Sequence, residues 1–323
     1  MNRRIRTATA AAAAAAAMVA TMCGAAPTAA APPTGTGAPH GAAHQPQADI
    51  LNAPTLLART VHGNVGYREV GHGSPLLLIT GSGSSMDAWA PDLVDALAAH
   101  HTVVVMDNAG VGQTSPLPAP LTISAMADQT SALISALRLH RPAVLGWSLG
   151  GMVAQALAVR HPGQVRGIVL AATQSGTGAA LPIPAAAAAA ADSGNPAEVL
   201  SVLFPADQLT AARAYGLAIT QYPGYYQAPV AVRTAQEAAI QQWMTGADRA
   251  GRHPERIHVP VLVADGASDA LDPAPNATIL ARSLRHAHPQ VLLYPDAGHA
   301  FLFQDAPQFT ATIEHFLRST TGR

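Results

Sequence analysis

The sequence predicts an α/β fold: a doubly wound, mainly parallel sheet with a helical lid inserted before the strand that carries a candidate acid. Three observations carry this. Short continuous apolar runs, of which Leu76-Leu77-Leu78-Ile79 is the clearest, read as strands buried on both faces of a parallel sheet. These runs alternate with amphipathic helical stretches along the chain. Finally, Val144-Leu145-Gly146-Trp147-Ser148-Leu149-Gly150-Gly151 sets a serine between a strand and a helix, on a turn that needs strained backbone angles. Gly146 and Gly150 are small where strand and helix pass each other. The competing reading is a glycine-rich turn with an incidental serine.

In chain order, the N-terminus comes first. Arg3-Arg4-Ile5-Arg6 precedes an Ala-rich apolar run from Ala8 to Met22 that contains no acid. Residues 1–26 therefore read as an export signal, too short and too weakly apolar for a comfortable membrane span. Cleavage is expected near residues 25–31. Cys23 admits a lipid anchor, although Met22 is bulky where a small residue is wanted, and the paired arginines admit twin-arginine export. An Ala-rich tail without a targeting role is the alternative. Residues 27–55, Ala, Pro, Gly, Thr and His without periodicity, read as a disordered tether.

The domain is expected over residues 56–323. Residues 59–70, with Gly63 and Gly66, suggest an edge hairpin. A buried strand at Leu76-Leu77-Leu78-Ile79 leads to a helix at 91–99 and a second strand at 102–106. A long amphipathic helix at 123–139 is followed by the strand before Ser148. Further strands are expected at 165–171, 259–264 and 291–294, and a closing helix at 307–318. Residues 174–255 break this rhythm. They contain helical pattern only, and they hold Phe204, Tyr215, Tyr222, Tyr225, Tyr226 and Trp243, six of the chain's 14 aromatics. This segment reads as a lid over Ser148, with Tyr222, Tyr225, Tyr226 and Trp243 as candidate substrate contacts. An ordinary helical subdomain whose aromatics fill their own core is the competing reading.

Composition excludes several chemistries. All 18 basic residues are arginine, so there is no P-loop lysine, no Schiff-base lysine and no S-x-x-K arrangement. The net charge of −1, with no basic cluster beyond the N-terminus, argues against a nucleic-acid partner. The single Cys23 precludes an internal disulfide. No H-E-x-x-H or Cys/His cluster suggests a metal, and no complete G-x-G-x-x-G suggests a nucleotide, so no cofactor is expected.

What remains is nucleophilic catalysis. A serine hydroxyl needs an adjacent base, itself oriented by a carboxylate. His299, in Asp296-Ala297-Gly298-His299 after the last strand, is the candidate base. The run Asp265-Gly266-Ala267-Ser268-Asp269-Ala270-Leu271-Asp272-Pro273 offers three acids. Asp269 fits best, with Asp265 ending the strand and Asp272 capping a helix opened by Pro273. The oxyanion hole needs two backbone donors, and Leu149 N–H and Ser82 N–H, the latter in Thr80-Gly81-Ser82-Gly83-Ser84-Ser85, are the candidates.

With these residues assembled, the chain from about Leu56 to Arg318 resembles the α/β-hydrolase fold superfamily. The carrying stretches are Leu77-Leu78-Ile79-Thr80-Gly81-Ser82-Gly83, Met106-Asp107-Asn108-Ala109-Gly110-Val111-Gly112-Gln113-Thr114-Ser115, the turn around Ser148, Gly266-Ala267-Ser268-Asp269 and Gly298-His299. The order Ser, Asp, His is that family's. Three positions depart from its pattern. Thr80 stands where members often have His, Asn108-Ala109 replaces a usual basic residue, and Ala270 sits where Pro is common. Ser148 sets the chain apart from the epoxide hydrolases and haloalkane dehalogenases, which use an aspartate there. The resemblance implies a serine hydrolase, expected to be a carboxylic-ester hydrolase acting on small to medium apolar esters through an acyl-enzyme, and the N-terminus adds the expectation of export. A perhydrolase, C–C hydrolase, lactonase or peptidase on the same triad is the first alternative, and a non-catalytic exported binding protein the second.

Overall fold

A computed structural model describes residues 49–224 and 227–320. The residues read as an export signal, most of those read as a tether, Cys23, Tyr225 and Tyr226 lie outside the described residues. Among the described residues, eight strands form one sheet in the order β1-β2-β4-β3-β5-β6-β7-β8. β1 (Leu56–Thr60) and β2 (Gly63–Val70) form an antiparallel hairpin at one edge, and β2 joins β4 (His101–Met106) antiparallel. From there β3 (Ser74–Ile79), β4, β5 (Ala143–Trp147), β6 (Gly167–Ala171), β7 (Val261–Gly266) and β8 (Gln290–Tyr294) run parallel.

The apolar runs are buried on both faces, and strand alternation divides them between two cores. Leu76, Leu78, Val103, Val105 and Leu145 point to one core, which α1 (Pro91–Ala98) and α9 (Ala306–Thr320) cover with Leu93, Leu97, Phe309 and Phe316. Leu77, Ile79, Val104, Val144 and Leu170 point to the other. There α2 (Ile123–Ala136), α3 (Leu149–Arg160) and α8 (Pro275–Ser283) pack with Met126, Leu133, Val153 and Leu280. The helices begin where local chemistry allows. Thr122 Oγ1 accepts Ala125 N–H at 3.0 Å to cap α2, and Pro91 supplies a preset φ at the first position of α1.

Between β6 and β7 the described residues form four α-helices, α4 (Ala185–Asp192), α5 (Pro196–Leu203), α6 (Leu209–Ile219) and α7 (Val230–Met244), where the sequence places its inserted segment. Several boundaries differ from expectation. Residues 49–55 are packed and are not a loose tether: Ile50 is buried against α1, and its N–H donates to Asp95 Oδ1 at 2.9 Å. The hairpin turns between Thr60 and Gly63, and Gly66 lies within β2. α2 stops at Ala136 because Leu137 caps it and Arg138 takes a positive φ. Asp272 does not cap a helix. α8 opens two residues after Pro273, at Pro275, with Ala274 in the cap position, and the Asp272 side chain turns inward.

Candidate active site

Ser148 has φ +55° and ψ −121°, a strained pair for a residue with a Cβ. The surroundings enforce it. Ser148 N–H donates to Ala171 O at 2.9 Å, and Thr173 Oγ1 donates to Ser148 O at 2.7 Å. The flanking glycines are obligatory by contact. A Cβ on Gly146 would lie 2.3 Å from Gly150 O, and one on Gly150 would lie 2.0 Å from Ile79 O. Leu149 heads α3, so its N–H belongs to the first turn of a helix, whose donors have no partner within the helix.

Asp269 and His299 meet because Gly266 lets two loops pass. A Cβ there would lie 2.3 Å from both Ala297 O and Gly298 O, and Ser268 N–H bonds Ala297 O at 2.9 Å. Asp269 Oδ2 then lies 2.7 Å from His299 Nδ1. Asp269 Oδ1 accepts Leu271 N–H and Asp272 N–H, each at 2.7 Å. Fixing Nδ1–H on the carboxylate leaves Nε2 as the basic nitrogen. Trp147 Nε1 donates to His299 O at 3.0 Å, which ties the imidazole loop to the end of β5. Burial disfavours the imidazolium of His299. The charge and hydrogen bond of Asp269, with Asp272 behind it, outweigh that and hold its pKa above the ordinary value.

Ser148 and His299 open on one cleft of about 180 Å³, with Gly81, Ser82 and Gly83 along its floor. The inserted helices supply an apolar wall of Val199, Leu200, Leu203, Tyr215 and Ile219, which Trp147 and Leu271 complete. Of the four aromatics singled out as substrate contacts, Tyr225 and Tyr226 lie outside the described residues, and Tyr222 and Trp243 are not in it. Tyr222 is buried in the core, where its hydroxyl donates to Trp89 O at 2.8 Å and the Arg68 guanidinium carbon sits 5.2 Å from its ring centre. Trp243 is also buried, with Nε1 donating to Gln174 O at 3.1 Å. Both therefore fill core space. Nor is the cleft free of charge: Asp192, Arg233 and Glu237 line it, and Arg233 Nε pairs with Asp192 Oδ1 at 2.9 Å.

Sequence reasoning missed two features. Asp265 and Asp272 are as buried as Asp269, so three carboxyls share the space behind His299. Burial, then the Asp272 and Asp269 charges, push Asp265 well above the usual carboxylate range. Burial and the Asp269 charge push Asp272 up to about 7. The second is that two of the departing residues bond each other, Asn108 Nδ2 donating to Thr80 O at 3.0 Å at the start of the loop that carries Ser82. Among the described residues no group of His, Cys, Asp and Glu is arranged to hold a metal ion.

Known proteins agree with this architecture. A family model described as alpha/beta hydrolase fold matches residues 74–306. The chain is 31% identical over 236 residues to the pimeloyl-acyl-carrier-protein methyl ester esterase of Neisseria meningitidis, covering 70% of this chain and 87% of that one. It is 28% identical over 275 residues to the 2-hydroxymuconate semialdehyde hydrolase of Pseudomonas sp. (strain CF600), covering 81% and 92%. An alpha/beta hydrolase fold protein from Chitinophaga pinensis superposes with a TM-score of 0.71 at 24% identity, over 83% of this chain and 98% of that one. The chain belongs to the α/β-hydrolase fold family.

Proposed function

We propose that the protein is an exported serine hydrolase that cleaves small to medium apolar carboxylic esters through an acyl-enzyme. One observation carries the reading: the Asp269–His299 hydrogen bond opens on the same cleft as the strained Ser148. In the first half-reaction Ser148 Oγ attacks the ester carbonyl while His299 Nε2 takes its proton. The charge on the carbonyl oxygen is met by Leu149 N–H and Ser82 N–H. The tetrahedral intermediate collapses, its bond to the alcohol breaks, and His299 returns the proton to the leaving oxygen. Water then attacks the acyl-Ser148 ester by the same route, releasing the acid and restoring the serine. Asp269 holds the imidazole in place and stabilises its cation without taking the proton.

The cleft supports the substrate class. An apolar cavity of about 150 Å³ holds benzene, so about 180 Å³ suits a short acyl chain. The identity to a methyl ester esterase supports ester chemistry. Export is supported by the Arg-then-Ala N-terminus, and fractionation of cells expressing the full chain and its Cys23→Ser variant tests both export and lipid anchoring.

The deciding experiment labels purified protein with a serine-reactive fluorophosphonate and screens it against esters, lactones, amides and peptides. Ser148-dependent labelling with ester turnover is expected. No Ser148-dependent labelling would point to a binding protein, and turnover confined to another class would overturn the ester assignment.

A further inference from the structure

The loop that carries Ser82 does not stand on its own. Gln236 lies within α7, fully buried, yet it is polar, and burying an amide is unfavourable unless its groups are bonded. Its Oε1 accepts Gly83 N–H at 2.8 Å, across 153 residues of sequence. Its Nε2 has no partner among the described residues. Half of this amide is thus a liability for stability, and the bonded half touches the oxyanion loop.

The other backbone group of Gly83 is also taken by the inserted segment. Ala228 N–H donates to Gly83 O at 2.9 Å, and Ser84 pairs with Gln227 in an antiparallel bridge. Gly83 has φ +77°, and a Cβ there would lie 3.4 Å from Arg233 Cδ, so the loop lies flush against α7. At its other end the loop is held by Asn108 on Thr80 O. Ser82 sits between these two anchors, its N–H one peptide away from the N–H that Gln236 holds.

We propose that Gln236 is a positioning residue that sets the oxyanion loop, so that seating the inserted helices over the cleft and aligning Ser82 N–H are one event. This rests on the reading of Ser148 as nucleophile. Gln236 is fully buried and does not line the cleft, and its Oε1 is committed to Gly83 N–H. It acts through the orientation of the neighbouring peptide. Misplacing a reacting group by 1 Å costs about 10²-fold, and losing an oxyanion donor costs about 10²- to 10³-fold.

The test uses the protein with Gln236→Met, Gln236→Glu and Ser148→Ala, assayed on the ester that wild type turns over fastest. Two inhibitors accompany it. A trifluoromethyl ketone of matching shape adds Ser148 Oγ to its carbonyl, leaving the proton on His299 and the charge on the ketone oxygen. The matching secondary alcohol fills the cleft without making an oxyanion. Gln236→Met is expected to lower kcat by about 10- to 100-fold with KM changed by less than about threefold. Ketone affinity should fall by the same factor as kcat/KM, while alcohol affinity and thermal midpoint hold. Gln236→Glu keeps the acceptor and has no Nε2 bond to lose, so it should stay within about fivefold of wild type. Where Gln236→Met does not fold, the smaller Gln236→Ala replaces it under the same criteria.

Activity of the Met variant within about threefold of wild type would overturn the proposal, as would equal losses of ketone and alcohol affinity or equal losses in Met and Glu. Those patterns belong to packing alone. If Ser148→Ala stays active, the nucleophile reading falls and takes this proposal with it. If Ser148→Ala is dead and Gln236→Met is unimpaired, only this proposal falls.

Discussion

Replacing Asp272 with Asn should stabilise the protein, and the gain should depend on pH. The Asp272 carboxyl is fully buried and titrates at about 7, first because burial disfavours its charge and next because the Asp269 charge adds to that. The Asn276 amide, at 2.7 Å from Oδ1, and the His299 cation offset only part of this. In the unfolded chain the same group titrates near ~3.9. Between about pH 4 and pH 7 the unfolded chain therefore releases a proton that the native state keeps, so stability falls as pH rises through this window and levels off above it. About three pK units at ~1.4 kcal/mol each set a ceiling near 4 kcal/mol. Asn cannot ionise, and its carbonyl still accepts from Asn276. Near pH 4 the variant should match wild type, and by pH 8 it should be more stable by up to ~4 kcal/mol. Urea unfolding of both proteins at half-unit steps from pH 4.5 to 8 reads the difference directly. Asp265 contributes a slope of the same sign, so wild type and variant are compared at each pH. A difference that is flat with pH, or that shrinks as pH rises, would refute this account of the buried acids. The substitution also removes a negative charge that holds His299 up. The acid limb of the kcat/KM profile should then move to lower pH.

Three further outcomes follow from the site. Ser148→Ala and His299→Ala should each lower kcat by several orders of magnitude, with circular dichroism unchanged, because triad members act as a unit. Asp269→Asn should lose far more activity than Asp265→Asn or Asp272→Asn, by ~10⁴ where such a change was measured in another triad. Assaying the three asparagine variants side by side decides it, and a larger loss at Asp272 would mean that the acid is misassigned. On p-nitrophenyl esters, kcat/KM should rise from acetate by roughly 0.8 kcal/mol per methylene while the apolar wall has room, then fall beyond about hexanoate. Leu200→Trp, which fills the cleft, should move that optimum to shorter chains, and an unmoved optimum would mean that the acyl chain lies elsewhere.

Much of this architecture was legible because strand burial leaves a mark in composition. Leu76 to Ile79 has no polar residue because its alternate side chains enter two different cores. The serine turn was legible because its glycines answer to contacts near 2 Å that allow no substitute. The cleft wall was not. An aromatic in the inserted segment carries no sign of which side it faces, and Tyr222 and Trp243 turned to the core while Val199, Leu200 and Ile219 took the cleft. In hindsight Gly176 is a signal for Trp243, since a Cβ there would lie 2.6 Å from its ring. Asp272 before a proline reads as a cap, but α8 opens two residues further on and frees the side chain to turn inward. Gln236 and Gly83 show no local pattern at all, because their partnership exists only in three dimensions.

The tie between Gly83 and the inserted helices bears on how such proteins diversify. A segment lodged between two neighbouring strands of a sheet resembles an exchangeable module, one that a lineage or an engineer could swap to obtain a new substrate range. Here the module brings with it the acceptor for Gly83 N–H and the donor for Gly83 O. A chimera that keeps the strands and imports foreign helices would inherit Ser148, His299 and Asp269 intact beside an unmoored Ser82 loop. Transplants into this scaffold should therefore fail in turnover rather than in folding, until the incoming helix also presents an amide or carboxyl oxygen to Gly83.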